Sequence, residues 1–561
     1  MRNYLMQAAI ATALAAAAGS ANAYLPTSNT NADKVVYWAG ASASTQSAQD
    51  AIIDFVCDAT VVGGTINVLS RTSNWAVACK SSAAKTPTLG DARVLVVKRD
   101  NGGSGVGVGP LQQGVLLNFL DVSTGAGGNC VGADVAKTSS NGTAYMERTC
   151  GALNVAGGQA PDIGSSDIEP DLFTGVLNQP VLNTSDGPGV PADKTAYPFD
   201  PNGAAFAKTA VLGDLVFNTP VTLELYKALQ SAQFASTSPC YPGNGAYDTV
   251  VQVNQNDPAT TVNEAISAPN GDTAACMPSL TKAEIASVMT GQVKNWEEFK
   301  VLNVSTNTTI DLRTAANNAA LVLPPLRSGL TPVQICRRVP GSGTQSQFNV
   351  EHLGVNCAAG VLGPKAASTV TLPFVAENSS ATNVEQCLDD FNKGTNTSTK
   401  NSGLLKRWAM GIRSTEASSK PLAVSPYWNY DYRFIKIDGY APTIENVHRG
   451  DYWNFGTQNL QAAPTADATT LEVFDIIATK AFTVIGLNNL NNDCKHGFGR
   501  GCWLGVPKVA GASPVVFDVD LFAAADPINN FTRAPNNRPL NSCQPPVRSE
   551  FSTHFIGAPT K

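Results

Sequence analysis

The chain has 561 residues, of which only 15% are charged, and 38 Lys and Arg against 44 Asp and Glu leave a formal net charge of -6. That balance excludes nucleic acid as an expected partner, because phosphate backbones are held by concentrated Lys and Arg. The length predicts two or more domains at about 150 residues each, and abundant Gly, Ala, Ser, Thr and Asn suit a secreted, loop-rich α/β protein.

Residues 1–23 read as a secretory leader. Arg2 supplies a thin positive start, residues 5–18 an alanine-rich apolar run, and Ala21-Asn22-Ala23 a small-residue cleavage site. The run is too short to span a bilayer and no later segment offers a comparable one, so the chain is expected to be exported and not membrane-spanning. No cysteine follows the cleavage site until Cys57.

Twelve cysteines and only four histidines, with no C-x-x-C pair, favour disulfides in an oxidising compartment over a zinc or haem site. Cys57 with Cys79, Cys130 with Cys150, Cys240 with Cys276 and Cys494 with Cys502 are candidate local pairs, and the connectivity stays open.

The elements alternate between β-rich and helical runs, the pattern of α/β layers. Residues 34–39 (KVVYWA) form a first strand, 40–45 a small-residue turn, and 46–56 a helix with Ala48, Ile52, Ile53 and Val56 on one face. Ser44 and Thr45 at that helix start can meet an anion through free amides and the helix dipole, or simply cap the first turn. Residues 94–98 form a second strand leading into 101–107 (NGGSGVG), where glycine density usually means a flexible loop. A third strand runs into 163–170, placing Asp167 just past a strand end, as a ligand carboxylate or as a cap. Ends of strands in open α/β sheets are where ligands bind.

Residues 215–221 read as a crossing strand and 280–289 as an amphipathic helix ending near Gly291, followed by Asn295 and Trp296, a core aromatic. Residues 333–338 form a strand and 345–353 a helix, and between them lies Arg338-Val339-Pro340-Gly341-Ser342-Gly343-Thr344. That loop combines a guanidinium, two hydroxyls and backbone amides at a strand-to-helix turn, the donor set of an oxyanion site. Arg433 and Asp438 read as a structural or exposed pair.

The order of these pieces, Gly40 through Ser44, Gly103-Ser104-Gly105, Gly164 through Asp167, residues 280–296, and Arg338 through Thr344, resembles the periplasmic phosphate-binding proteins of ABC transporters and the related DING proteins. Residues 432–439 with Ala441-Pro442-Thr443 look like the same family's return segment. The resemblance implies a two-lobed α/β architecture, the type II periplasmic binding protein fold, with hinge-crossing strands and disulfide-held insertions. It implies lobe one over residues 24–214, lobe two over 215–410, and a return to lobe one plus a C-terminal extension over 411–561. Stretches 58–91, 106–160, 230–277 and 357–402 are then insertions.

Carried over by position, the resemblance places Ser44, Thr45, Ser104, Asp167, Arg338, Ser342, Gly343 and Thr344 around inorganic phosphate or a similar oxyanion, with no catalytic residue, metal or cofactor. It implies a monomer in the periplasm or outside the cell, with an ABC permease as partner. Two positions depart from the family: Thr45 replaces a frequent aromatic residue, and Pro340 stands where an Asp would restrain Arg338. Arg338 can present a bidentate fork while hydroxyls and amides take other oxygens. Asp167 would accept the proton of a protonated phosphate, which sulfate lacks. The competing classes are a secreted phosphatase on the same scaffold and an extracellular structural or adhesion protein that has lost the site. Ser342 lies in no G-x-S-x-G elbow, and no His or Lys stands near it in sequence as an activating base.

Overall fold

The computed structural model describes residues 24–43, 45–71, 73–125, 127–139, 141–151, 157–255, 264–303, 306–415, 430–442, 446–447, 450–481, 505–507, 531–533 and 540–548. The leader, Ser44 and the Cys494 with Cys502 pair lie outside those residues.

Among the described residues the larger sheet has eleven strands. Their order is Arg413–Ser414, Lys208–Asn218, Phe455–Ala462, Ile163–Ser166, Lys34–Gly40, Arg93–Arg99, Asn74–Lys80, Asn67–Arg71, Ala144–Thr149 and Val135–Thr138, with Gly505–Pro507 paired to Lys208–Asn218. Lys34–Gly40 is parallel to both of its neighbours. The turns after Gly40, Arg99 and Ser166 therefore leave the sheet along one edge.

Side-chain alternation explains why this strand sits centrally. Val36 and Trp38 join the core beneath the helices Thr45–Phe55 and Ala468–Lys480, through Ile52, Val473 and Phe474. Tyr37 and Ala39 point the other way, onto Phe119, Leu120 and Leu95. A strand covered on both faces needs apolar residues at successive positions, which is what residues 34–39 supply.

The smaller sheet has five described strands, in the order Phe374–Asn378, Gln334–Arg338, Ala409–Gly411, Val221–Thr222 and Tyr432–Arg433. Its first three run parallel. Ile335 and Met410 pack with Trp296 on one face, while Cys336 and Ala409 pack with Leu388 and Phe391 on the other. The chain passes between the sheets at Thr219-Pro220, at Ile412, and twice more, between Ser414 and Tyr432 and between Arg433 and Phe455. The first two lie side by side, since Phe217 pairs with Ser414 and Asn218 with Arg413.

Several sequence expectations change in detail. The glycine-rich stretch is not a loose loop, because Ser104–Gly107 forms a buried 3-10 turn. Arg433 pairs with Asp272 at 2.9 Å and not with Asp438; Asp438 instead accepts from Trp453 Nε1 at 3.1 Å and from the Lys282 amide at 3.0 Å. Tyr432–Arg433 pairs in the smaller sheet, and the return to the larger sheet is made by Phe455–Ala462. Stretches 58–91 and 106–160 contribute the strands that widen the larger sheet beyond Arg93–Arg99.

Five disulfides join described residues. Cys57–Cys79, Cys130–Cys150 and Cys240–Cys276 are the three local pairs expected there. Cys336–Cys387 ties the Gln334–Arg338 strand to the helix Ala381–Lys393, and Cys357–Cys543 anchors the C-terminal segment across 186 residues. Trp296 is fully buried, with Nε1 donating to the Trp408 carbonyl at 3.1 Å.

Candidate ligand site

Arg338 ends its strand, and the chain turns through Gly341, whose φ of 82° is a conformation that costs glycine nothing and other residues strain. Ser342 then caps the helix Gly343–Glu351, its hydroxyl accepting from the Gln345 amide at 3.5 Å. This helix starts two residues earlier than its sequence suggests, so Gly343 and Thr344 belong to its first turn. Amides there have no intrahelical partner and the dipole is positive at that end.

All nine residues of this helix are buried, although Gln345, Gln347 and Asn349 are polar. Each amide is occupied: Gln345 accepts from the Arg338 amide at 3.2 Å, Gln347 donates to Asn454 at 2.8 Å, and Asn349 donates to Asn178 at 2.9 Å. The last two partners belong to segments beside the larger sheet. The helix is therefore held between the two sheets by satisfied amides.

The parallel-strand edge of the larger sheet meets the same turn. The Gly105 amide donates to the Gly341 carbonyl at 2.8 Å, and Gly343 lies directly against Ser104 and Asp167. Asp167 is 3% exposed. Its Oδ2 accepts from Ser104 Oγ at 3.1 Å and its Oδ1 from Gln458 Nε2 at 2.5 Å. Burial pushes the Asp167 carboxyl above the usual range, against the opposing pull of those hydrogen bonds and of the Arg338 and Lys98 charges.

Two cations thus act on one buried carboxyl. Arg338 Nη2 donates to the Ser379 carbonyl at 3.1 Å, so backbone helps to hold the guanidinium. Lys98 is fully buried, with Nζ donating to Asp100 Oδ1 at 2.5 Å, to the Ala41 carbonyl at 3.0 Å and to the Gly40 carbonyl at 3.3 Å. Its ammonium also lies 4.9 Å from the Trp38 ring centre. Burial lowers the Lys98 pKa, and the Asp100 carboxylate counters it. Thr45 Oγ1 donates to the other Asp100 oxygen at 2.7 Å, which couples the start of the first helix to this network.

The structure brings Ser104, Asp167, Arg338, Ser342, Gly343 and Thr344 into one region, with Thr45 joined through Asp100, while Ser44 lies outside the described residues. Sequence reasoning missed Lys98, Asp100, Gln458 and Gln345. A lysine closing an apolar, doubly covered strand is a signal that could have found Lys98, since such a charge needs a buried partner. Gln458 carries no signal, because the Phe455–Ala462 strand was not singled out.

No family model matches the chain, and no curated protein matches it. Among solved structures the chain is similar to one described as a phosphate ABC transporter substrate-binding protein from Clostridium perfringens with bound phosphate, at 11% identity and a TM-score of 0.34, covering 83% of this chain and 99% of that one. It is also similar to an ABC-type phosphate transport receptor from Vibrio cholerae, at 10% identity and a TM-score of 0.30, covering 79% of this chain and 93% of that one. Among the described residues no helix is long and apolar enough to cross a membrane. No group of three or more His, Cys, Asp or Glu among them could hold a metal ion.

Proposed function

We propose that the protein is an exported, non-enzymatic receptor for inorganic phosphate or a similar oxyanion, built as two lobes that close on the ligand. The larger sheet forms lobe one, from residues 24–214 and the returning C-terminal segment. The smaller sheet forms lobe two, from 215–410 together with the strand Tyr432–Arg433, which the sequence resemblance puts in the return segment. A periplasmic or extracellular protein of this kind would deliver its ligand as a monomer to an ABC permease. One observation carries the reading: an arginine and the amino end of a buried helix converge on a buried Ser104 and Asp167 pair contributed by the other sheet.

In this reading Arg338 and the Gly343 and Thr344 amides hold the negative oxygens, and the Ser44, Thr45, Ser104 and Ser342 hydroxyls complete the shell. Asp167 demands one proton at its contact with the anion, supplied by either partner. An unprotonated dianion facing ionised Asp167 leaves two like charges in low dielectric, so protonated phosphate is preferred over sulfate. Opening would separate Gly105 from Gly341, with Thr219-Pro220 and Ile412 as hinge positions.

Isothermal titration of the oxidised protein with phosphate tests this. Saturable binding that Arg338→Ala weakens by roughly tenfold to a hundredfold, the worth of a charged hydrogen bond, supports it. Absence of phosphate binding by the folded protein rules it out.

A further inference from the structure

A cavity opens at the end of the smaller sheet opposite Arg338. It measures about 220 Å³ and is bounded by Gln334, Phe374, Phe391, Lys400, Asn401 and Arg407. Gln334 and Phe374 are the first residues of their strands, whereas Arg338 is the last of its own. At about 3.3 Å per residue the two regions are some 13 Å apart along the strand.

Arg407 organises the cavity. Its guanidinium lies 4.3 Å from the Phe374 ring centre and 5.7 Å from that of Phe391, with Nη1 donating to Gln334 Oε1 at 2.9 Å. Arg327 approaches Phe374 as well, at 4.8 Å. No acidic residue lines the cavity. The carboxylate of Asp390, in the helix Ala381–Lys393, is spent on the loop that follows, accepting from Thr395 Oγ1, the Thr397 amide, the Ser398 amide and Ser398 Oγ at 2.6 to 2.8 Å.

The wall is also preorganised. Asn401 is 3% exposed and donates to the carbonyls of Asp390, Thr395 and Leu405 while accepting from the Leu405 amide. Those bonds hold Lys400 and Ser402 at the rim, opposite Ser368 and Thr369. Rigid walls, an aromatic-stacked guanidinium with donors to spare, a lysine and several hydroxyls fit one ligand chemistry.

We propose that this cavity is a second ligand site, independent of the Asp167 region, for a small hydroxylated organic anion whose carboxylate or phosphate group meets Arg407 and Lys400. Its volume exceeds the roughly 150 Å³ that accommodates benzene, which suits a ligand the size of a sugar acid or sugar phosphate. The stacked guanidinium takes the oxyanion in a fixed plane, and the rim hydroxyls take the body.

Equilibrium dialysis of the full-length oxidised protein tests it, with gluconate as the carboxylate probe, glucose 6-phosphate as the phosphate probe and glucose as the neutral control. The expected result is saturable, one-to-one uptake of at least one anion and none of glucose, retained in Arg338→Ala and weakened about tenfold or more in Lys400→Glu and Arg407→Gln. Lys400 is exposed, so Lys400→Glu keeps the test valid should Arg407→Gln misfold. The proposal is overturned if neither anion is taken up, if glucose is taken up equally, if Lys400→Glu binds like the wild type, or if Arg338→Ala abolishes the uptake.

Discussion

Gly343 and Asp167, 176 positions apart in the chain, approach so closely that a β-carbon on the glycine would stand 2.2 Å from Asp167 Oδ2 and 1.8 Å from Ser104 Oγ. The start of one buried helix and the carboxylate of a different sheet therefore share a single contact, and only a residue without a side chain permits it.

Gly343→Ala is the direct consequence. The added methyl must push the helix start away from Asp167, because the neighbouring Gly105 to Gly341 hydrogen bond leaves the backbone no slack. We expect a loss of about 1 to 3 kcal/mol in thermal or denaturant unfolding, and anion affinity reduced at least tenfold in calorimetry, since misplaced donors no longer converge.

Asp167 should govern selectivity, and in a pH-dependent way. Burial raises its pKa, so lowering the pH converts it from acceptor to donor and removes its repulsion of an unprotonated dianion. The preference for phosphate over sulfate should narrow as pH falls and be small at every pH in Asp167→Asn. Competition titrations at several pH values check this; a preference in Asp167→Asn equal to the wild type would refute the role.

Lys98→Met would leave Asp100 buried with Thr45 as its remaining side-chain hydrogen bond. Removing one member of a buried pair costs about 3 to 5 kcal/mol, so Lys98→Met should unfold at much lower denaturant. The double variant Lys98→Met with Asp100→Leu should recover much of that stability.

Glu351 carries a pH signature of its own. It is buried against Arg533, at 2.9 Å, and Gln347, also at 2.9 Å, yet burial outweighs them and pushes its pKa to about 7 from an ordinary 4.5. The folded protein therefore holds a proton that the unfolded chain releases at lower pH. Its stabilising effect is complete below about 4.5 and is lost as the pH rises through 7. Glu169, likewise raised to about 7, adds in the same direction. Unfolding free energy should fall over this window, and Glu351→Gln should flatten the slope by about 1 to 3 kcal/mol.

The donor loop from Arg338 to Thr344 was legible because its chemistry is local: a strand, a glycine turn and a hydroxyl cap follow one another in sequence. The strands at residues 34–39 and 94–98 were legible for the same reason, since a doubly covered strand must read as an apolar run. Lys98 was hidden by sitting at the end of one such run, where a lysine usually marks a strand emerging into water. Gln458 was hidden because an amide in a polar strand looks the same whether it faces solvent or a buried carboxylate.

By itself the sequence determined the alternation of elements and the residue types able to hold an oxyanion, and it offered local cysteine pairs as candidates, because periodicity, capping and short-range cysteine spacing are properties of neighbouring residues. Only the tertiary structure decided that Ser104, Asp167 and Gln458 meet the Gly343 helix, that Arg338 donates to the Ser379 carbonyl, and that Arg407 opens onto a cavity at the other end of its sheet. Those relationships depend on which sheet edge faces which, and that is set by the separate apolar cores packed on the faces of the two sheets and by the passages of chain between them.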